Sequence, residues 1–147
     1  MAGFTRSFRG TLIKFVANQT PGSPPTTIYA GFSTANPGDD VSAIAEPTIG
    51  TGGYARQLMS FSAYSAPAAG ATTFVANSAT VTWGPSSAAW STGATPLTHI
   101  VYWTASTGVT EATSVAYGAI SLPSQVSAAG ISITAQPGAL QLQLAPS

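Results

Sequence analysis

The sequence predicts an all-β, mainly antiparallel fold: a β-sandwich or small barrel of about seven strands, preceded by a short N-terminal amphipathic helix. Three observations carry this expectation. Short runs of alternating apolar and polar residues recur between residues 26 and 144. Turns rich in Gly, Pro, Asn and Asp separate these runs. No helix-length segment alternates with the strand-like runs, as a βαβ architecture would require. Residues 1–20 are read as the helical segment and 21–147 as a single sandwich domain.

The N-terminal segment follows a different period. Phe4, Phe8, Leu12, Phe15 and Val16 recur at three- and four-residue spacing, with Thr5, Arg6, Arg9 and Lys14 on the opposite side. Gly10 weakens the helix, and it closes before Pro21. Three of the four basic residues lie here and no acidic residue precedes Asp39, so the helix is locally cationic. Two roles stay open. It packs on the core with a solvated outer face, or it docks on an acidic partner surface.

After a Pro-rich connector at Pro21–Pro25, the period becomes two. Within Thr26–Ser33, Ile28, Ala30 and Phe32 alternate with Tyr29, Gly31 and Ser33. Tyr54–Tyr64 and Asn77–Trp83 follow. Leu97–Thr104 is bulky throughout, which predicts a central strand buried on both faces. Ser114–Ser121, Gly130–Ala135 and Ala139–Leu144 complete the set. Ser65–Thr73 and Gly84–Pro96 are small-residue loops, and Trp90 stands out in the second.

Charge is the most unusual property of the chain. Of 147 residues only 5% are charged, against a usual ~25%, and four acids balance four bases. With 44% hydrophobic residues, the composition is the reverse of a disordered chain. A folded chain of this mass exposes roughly 7,000 Å², about a third of its unfolded surface, so a sizeable core is available. Eight charges spread over that surface are sparse for a domain that stays apart from its neighbours. Either Ser, Thr, Asn and Gln carry the solvation, as the abundant Ser and Thr do in part, or much of the surface is expected to lie against other protein, a homo-oligomer (dimer or trimer) being the simplest arrangement. Zero net charge gives no pull toward nucleic acid or an anionic membrane. No apolar run approaches the ~18 residues of a membrane span, and Lys14 interrupts the only stretch resembling a signal peptide. A soluble intracellular product, or one released by lysis, is the expected setting.

Little in the sequence points to catalysis. The absence of Cys excludes disulfides and thiolate metal sites. Asp39 and Asp40 are adjacent and diverge, while Glu46 and Glu111 stand alone, so no metal site and no glycosidase pair is expected. The Asn36–Asp40 segment reads instead as a turn held by Asx-type hydrogen bonds. Any serine-hydrolase scheme must use His99, which lies in the most apolar strand, and no Gly-x-Ser-x-Gly elbow is present. Gly50–Gly53 lacks the Lys and the following helix of a phosphate loop. No cofactor is expected. Arg56 follows this turn and is expected to bond turn carbonyls or one of the few carboxylates. The remaining candidates are contact residues: Arg6, Arg9, Lys14, Arg56 and Trp90. Trp83 and Trp103 read as core. Trp90 is expected to be partly exposed or buried against another subunit, so its loss should weaken association and leave the domain folded. Trp83, Trp90, Tyr102, Trp103 and Tyr117 could equally form a sugar-stacking platform.

The pattern as a whole resembles a family of small tailed-bacteriophage virion proteins, commonly labelled phage tail fibre proteins. The resemblance covers nearly the full length. It rests on the run from Thr27 through Gly31 and Asn36-Pro37-Gly38-Asp39, and on Gly53-Tyr54-Ala55-Arg56, its most specific element. Asn77 leading to Trp83, Ala89-Trp90, Thr98-His99-Ile100, Ala105–Gly108, Tyr117–Ile120 and Gly138-x-Leu140-x-Leu142 extend it. Val101 and Thr104 depart from the family pattern. The resemblance implies a non-enzymatic virion structural protein whose partners are other virion proteins, the major capsid protein or tail proteins. Two placements follow. One is a capsid decoration or cement protein stabilising the shell. The other is a tail or tail-fibre component contacting host-surface glycans. The lack of a heptad or repeat shaft tilts the expectation toward the capsid.

Overall fold

A computed structural model describes residues 3–20, 22–64 and 73–144. It is mostly β, with antiparallel strands in a sandwich-like arrangement and a short N-terminal helix, as the alternation predicts. The described strands are β1 (Gly3–Phe4), β2 (Ile28–Ser33), β3 (Gln57–Met59), β4 (Thr73–Ala76), β5 (Val81–Trp83), β6 (Leu97–Trp103), β7 (Ser114–Ser124), β8 (Ile133–Ala135) and β9 (Gln141–Leu144). The helix, α1, spans Arg6–Val16, and single 3-10 turns sit at Thr51–Gly53 and Glu111–Thr113.

Five strands form one antiparallel sheet in the order β1-β7-β6-β2-β3, while β4 pairs with β9 and β5 with β8. Register decides what each face carries. Ala30 pairs with Tyr102 and Phe32 with Ile100 across β2 and β6, and Tyr102 and Ile100 pair in turn with Ala116 and Gly118 of β7. Ala30, Phe32, Ile100, Tyr102 and Ala116 therefore point to one side. There they form the core with Val81 and Trp83 of β5, and Ile133, Ala135, Leu140 and Leu142 pack against it. The Trp83 indole donates to the carbonyl of Ala30 at 3.1 Å, joining the two layers through a polar bond inside the apolar core.

The other face of the five-stranded sheet carries Gly31, Val101 and Trp103, and it is closed as well. The segment between β2 and β3 folds back over it. The Thr34 amide donates to the Ala45 carbonyl at 2.9 Å, and the Ala45 amide donates to the Ser33 hydroxyl at 3.1 Å. With both faces covered, Ile100, Val101, Tyr102 and Trp103 are all buried, as the bulky run predicted for a central strand.

Several boundaries differ from the sequence reading. Phe4 belongs to β1, which pairs with Ala116 and Tyr117, and the helix begins only after it. Two residues are too short to show a period. Thr5 is buried at this junction and donates to the carbonyl of Ser114 at 2.9 Å. The run 54–64 shortens to β3 and a single bridge between Phe61 and Asn77, because Tyr54 and Arg56 turn into a polar cluster. Asn77 replaces the start of the next strand. Its side chain donates to the carbonyls of Ala79 and Gln136 and accepts from the Leu140 amide, so β5 starts at Val81. Of the expected loop at 65–73, residues 65–72 lie outside the described residues, and Thr73 opens β4. The loop at 84–96 is pinned by backbone and hydroxyl bonds of Ser86, Trp90 and Ser91 to the 126–131 segment. No helix among the described residues is long and apolar enough to cross a membrane.

Candidate functional site

The residues singled out by sequence separate into an inner cluster and a helix surface. Arg56 lies in the inner cluster, with its side chain fully shielded from solvent. The Glu46 carboxylate receives it in a two-pronged pair, Nε to Oε1 at 2.8 Å and Nη2 to Oε2 at 2.6 Å. Nη1 and Nη2 also donate to the carbonyls of Ala105 and Gly108. The guanidinium lies 3.9 Å from the centre of the Trp103 ring. Both expected roles of Arg56, bonding turn carbonyls and pairing with a carboxylate, are present together. The guanidinium is consumed inside the chain, so it is not a surface contact.

Tyr54 joins the same cluster. Its hydroxyl donates to Glu46 Oε1 at 3.0 Å and accepts the Phe32 amide at 2.7 Å. Burial, and then the adjacent Glu46 charge, push this hydroxyl far above the ordinary tyrosine range, so it stays a neutral donor. Gly31 leaves the necessary room. A Cβ there would lie 2.7 Å from both Glu46 Oε1 and the Tyr54 hydroxyl. Gly31, Tyr54 and Arg56, three positions of the family-like pattern, thus build one buried polar knot with Glu46. It holds β2, the covering segment and the 105–108 turn together.

Trp90 does not show the expected partial exposure. It is 8% exposed, packs edge-on against Tyr54 at 5.4 Å, and donates from Nε1 to the carbonyl of Gly52 at 2.7 Å. The pinned loop turns the ring inward, where its indole N–H meets the Gly52 carbonyl. A cleft of about 370 Å³ opens beside its edge, walled by Thr34, Glu46, Thr48, Thr51 and Thr95. Trp83 and Trp103 are core residues as expected.

On the helix, Arg6 makes a two-pronged pair with Glu111, at 2.9 and 2.7 Å. Arg9 pairs with Asp39 at 2.7 Å, and the Tyr117 hydroxyl donates to the other Asp39 oxygen at 2.9 Å. The Arg6 amide donates to the Asp39 carbonyl. The acidic surface that receives these two arginines is therefore the chain's own. Arg6 holds Glu111 below the usual carboxylate range, and Arg9 with Tyr117 does the same for Asp39. Lys14 is exposed and pairs with no acid among the described residues. The 36–42 turn has the expected Asx geometry: Asn36 accepts from the Gly38 amide, and Asp40 from the amide and hydroxyl of Ser42.

His99 bonds through Nδ1 to the Thr98 hydroxyl at 2.9 Å, and partial burial lowers its basicity. Among the described residues no three His, Asp or Glu side chains gather as a metal site would require. The Arg56, Glu46 and Tyr54 side chains are donors and acceptors matched to one another, an arrangement suited to holding segments in place, while the buried Trp103 Nε1 beside them has no hydrogen-bond partner. Sequence reasoning missed Glu46 and Asn77. The signal for Glu46 was arithmetic, since a buried Arg56 must find one of only four acids.

Against known proteins, residues 3–143 match the family model described as Podophage GP4 fiber I protein gp80. No curated protein matches the chain.

Proposed function

The chain belongs to the podophage GP4 fibre I protein gp80 family, a phage fibre family of virion structural components, and on that premise we propose that it is a non-enzymatic part of the fibre. It is held to other virion proteins by buried contact, without a cofactor and without nucleic acid or membrane as partner. The observation that carries this reading is the family match across residues 3–143. The geometry supports it. Arg56, Glu46 and Tyr54 brace the sandwich, and Arg6 and Arg9 fasten the helix to it. Contact with a host glycan is a further role for a fibre component, and the threonine-walled cleft beside Trp90 is where it would be sought.

One observation favours the other placement, a capsid decoration or cement protein. The sequence contains no heptad or repeat from which an elongated shaft is built. Imaging intact particles by cryo-electron microscopy, with a gold-labelled antibody against the chain, separates the two. The expected result is label and density on the fibres. Label spread over the shell lattice would replace the fibre reading with the capsid one, and particles without the chain would end both.

A further inference from the structure

A groove of about 320 Å³ opens where the helix meets the sandwich, lined by Phe4, Phe8, Ile28, Phe61, Phe74 and Leu142. Its walls carry no charged side chain. The apolar surface does not stop at its rim. At 100° per residue, Phe8, Leu12 and Phe15 share a stripe about 60° wide, and Val16 lies about 40° beyond it. Phe8 is half-buried in the groove, but Phe15 is 49% and Val16 86% exposed. Across the groove, Tyr64 and Phe74 are 59% and 48% exposed. With roughly half of each aromatic side chain in water, this patch is on the order of 400 Å². That is within the ~300–600 Å² of a monomer's largest patch and about half of what one partner brings to a standard interface.

We infer that this face is a contact between copies of this chain, in which the Phe15–Val16 end of one helix fills the groove of a neighbour. Charge selects the partner. Arg6 and Arg9 are neutralised within the chain, and Lys14 is the one cation on the helix without an acid among the described residues. A strongly charged partner of either sign would bury its charges against an uncompensated apolar wall. A second copy brings the same nearly ion-free surface, with area enough to form the centre of a stable interface. The helix end and the groove are different parts of this face, so the contact pairs unlike surfaces, either reciprocally in a two-fold dimer or head-to-tail. The first closes as a dimer, and the second closes as a ring or continues as a filament. The inference rests on the structural role proposed above for its expectation of a covered surface, but its test needs no virion.

The test uses the full chain in sedimentation velocity and light scattering over a wide concentration range. The wild type should self-associate. Phe15→Ser with Val16→Ser removes the helix end, and Phe74→Ser alters the groove. These side chains are about half exposed or more, so circular dichroism and melting should stay near wild type. Each variant alone should associate at least about tenfold more weakly. Mixing the two should restore a one-to-one complex, because one retains an intact groove and the other an intact helix end. A wild type that stays monomeric at high micromolar concentration, or variants that associate like it, would assign the face to another protein and overturn the inference. A mixture that fails to recombine would overturn the pairing of helix end with groove. Neither result bears on where the chain sits in the particle, which the imaging decides separately.

Discussion

Arg56 illustrates how a charged residue is accommodated in a chain with so few charges. Its guanidinium and the Glu46 carboxylate are shielded together, so each depends on the other. Removing one partner leaves an uncompensated buried charge, and such changes cost about 3–5 kcal/mol. Arg56→Met should therefore destabilise the fold by that amount in urea unfolding, while the double change with Glu46→Gln should recover part of the loss. Recovery of nothing would mean that the pair is not coupled. Trp90 belongs at the same scale. Its burial reverses the sequence-based expectation for its loss. Trp90→Ala opens a cavity beside Tyr54 and removes one of the two hydrogen bonds to the Gly52 carbonyl, which keeps the Ser87 amide, and it should cost about 3–5 kcal/mol. A variant with an unchanged urea midpoint would return Trp90 to the surface.

At the scale of elements, the helix has no fully buried residue, and partly buried packing of Phe8 against the core is supplemented by exposed ion pairs. Asp39 is the central fastener, bonded to Arg9, Tyr117 and the Arg6 backbone. Its carboxyl and that of Glu111 titrate below their ordinary values in the fold. The folded state then binds fewer protons than the unfolded chain in acid, so stability falls as pH falls. The contribution is complete above about pH 5, above the unfolded carboxylate values of ~4, and is lost as pH drops through the folded values. His99 acts in the same direction at higher pH. Its lowered basicity costs stability as pH falls below its ordinary ~6.5. Unfolding midpoints measured from pH 7 to 3 should show both declines. Asp39→Asn should flatten only the lower one, and an unaltered slope would remove Asp39 from this role.

Across the whole molecule, the three ion pairs among the described residues use six of the eight charged side chains and leave Lys14 and Asp40, of opposite sign. The surface therefore offers almost no net field to attract or repel a neighbour. Association through the groove face should be apolar and hence insensitive to ionic screening. At 1 M salt, where the Debye length is about 3 Å, the self-association constant should be unchanged or larger. A constant that collapses with salt would show that ion pairs, not the groove, hold the copies together.

The sequence by itself determined the β-rich class, the N-terminal helix and the buried central strand, because hydrophobic period and turn chemistry are local properties. It also required that Arg56 find carbonyls or a carboxylate, because a guanidinium near the core has few alternatives. Tertiary structure alone chose Glu46 as that carboxylate, turned Trp90 inward and gave Arg6 and Arg9 acids within the chain. It also added β1 and β4, whose pairings join distant segments. Arg6 meets Glu111 across 105 positions, and Arg9 meets Asp39 across 30. Spacing along a chain carries no information about which remote segments come together, because that is settled by how the sheets stack and which faces the intervening loops must cover.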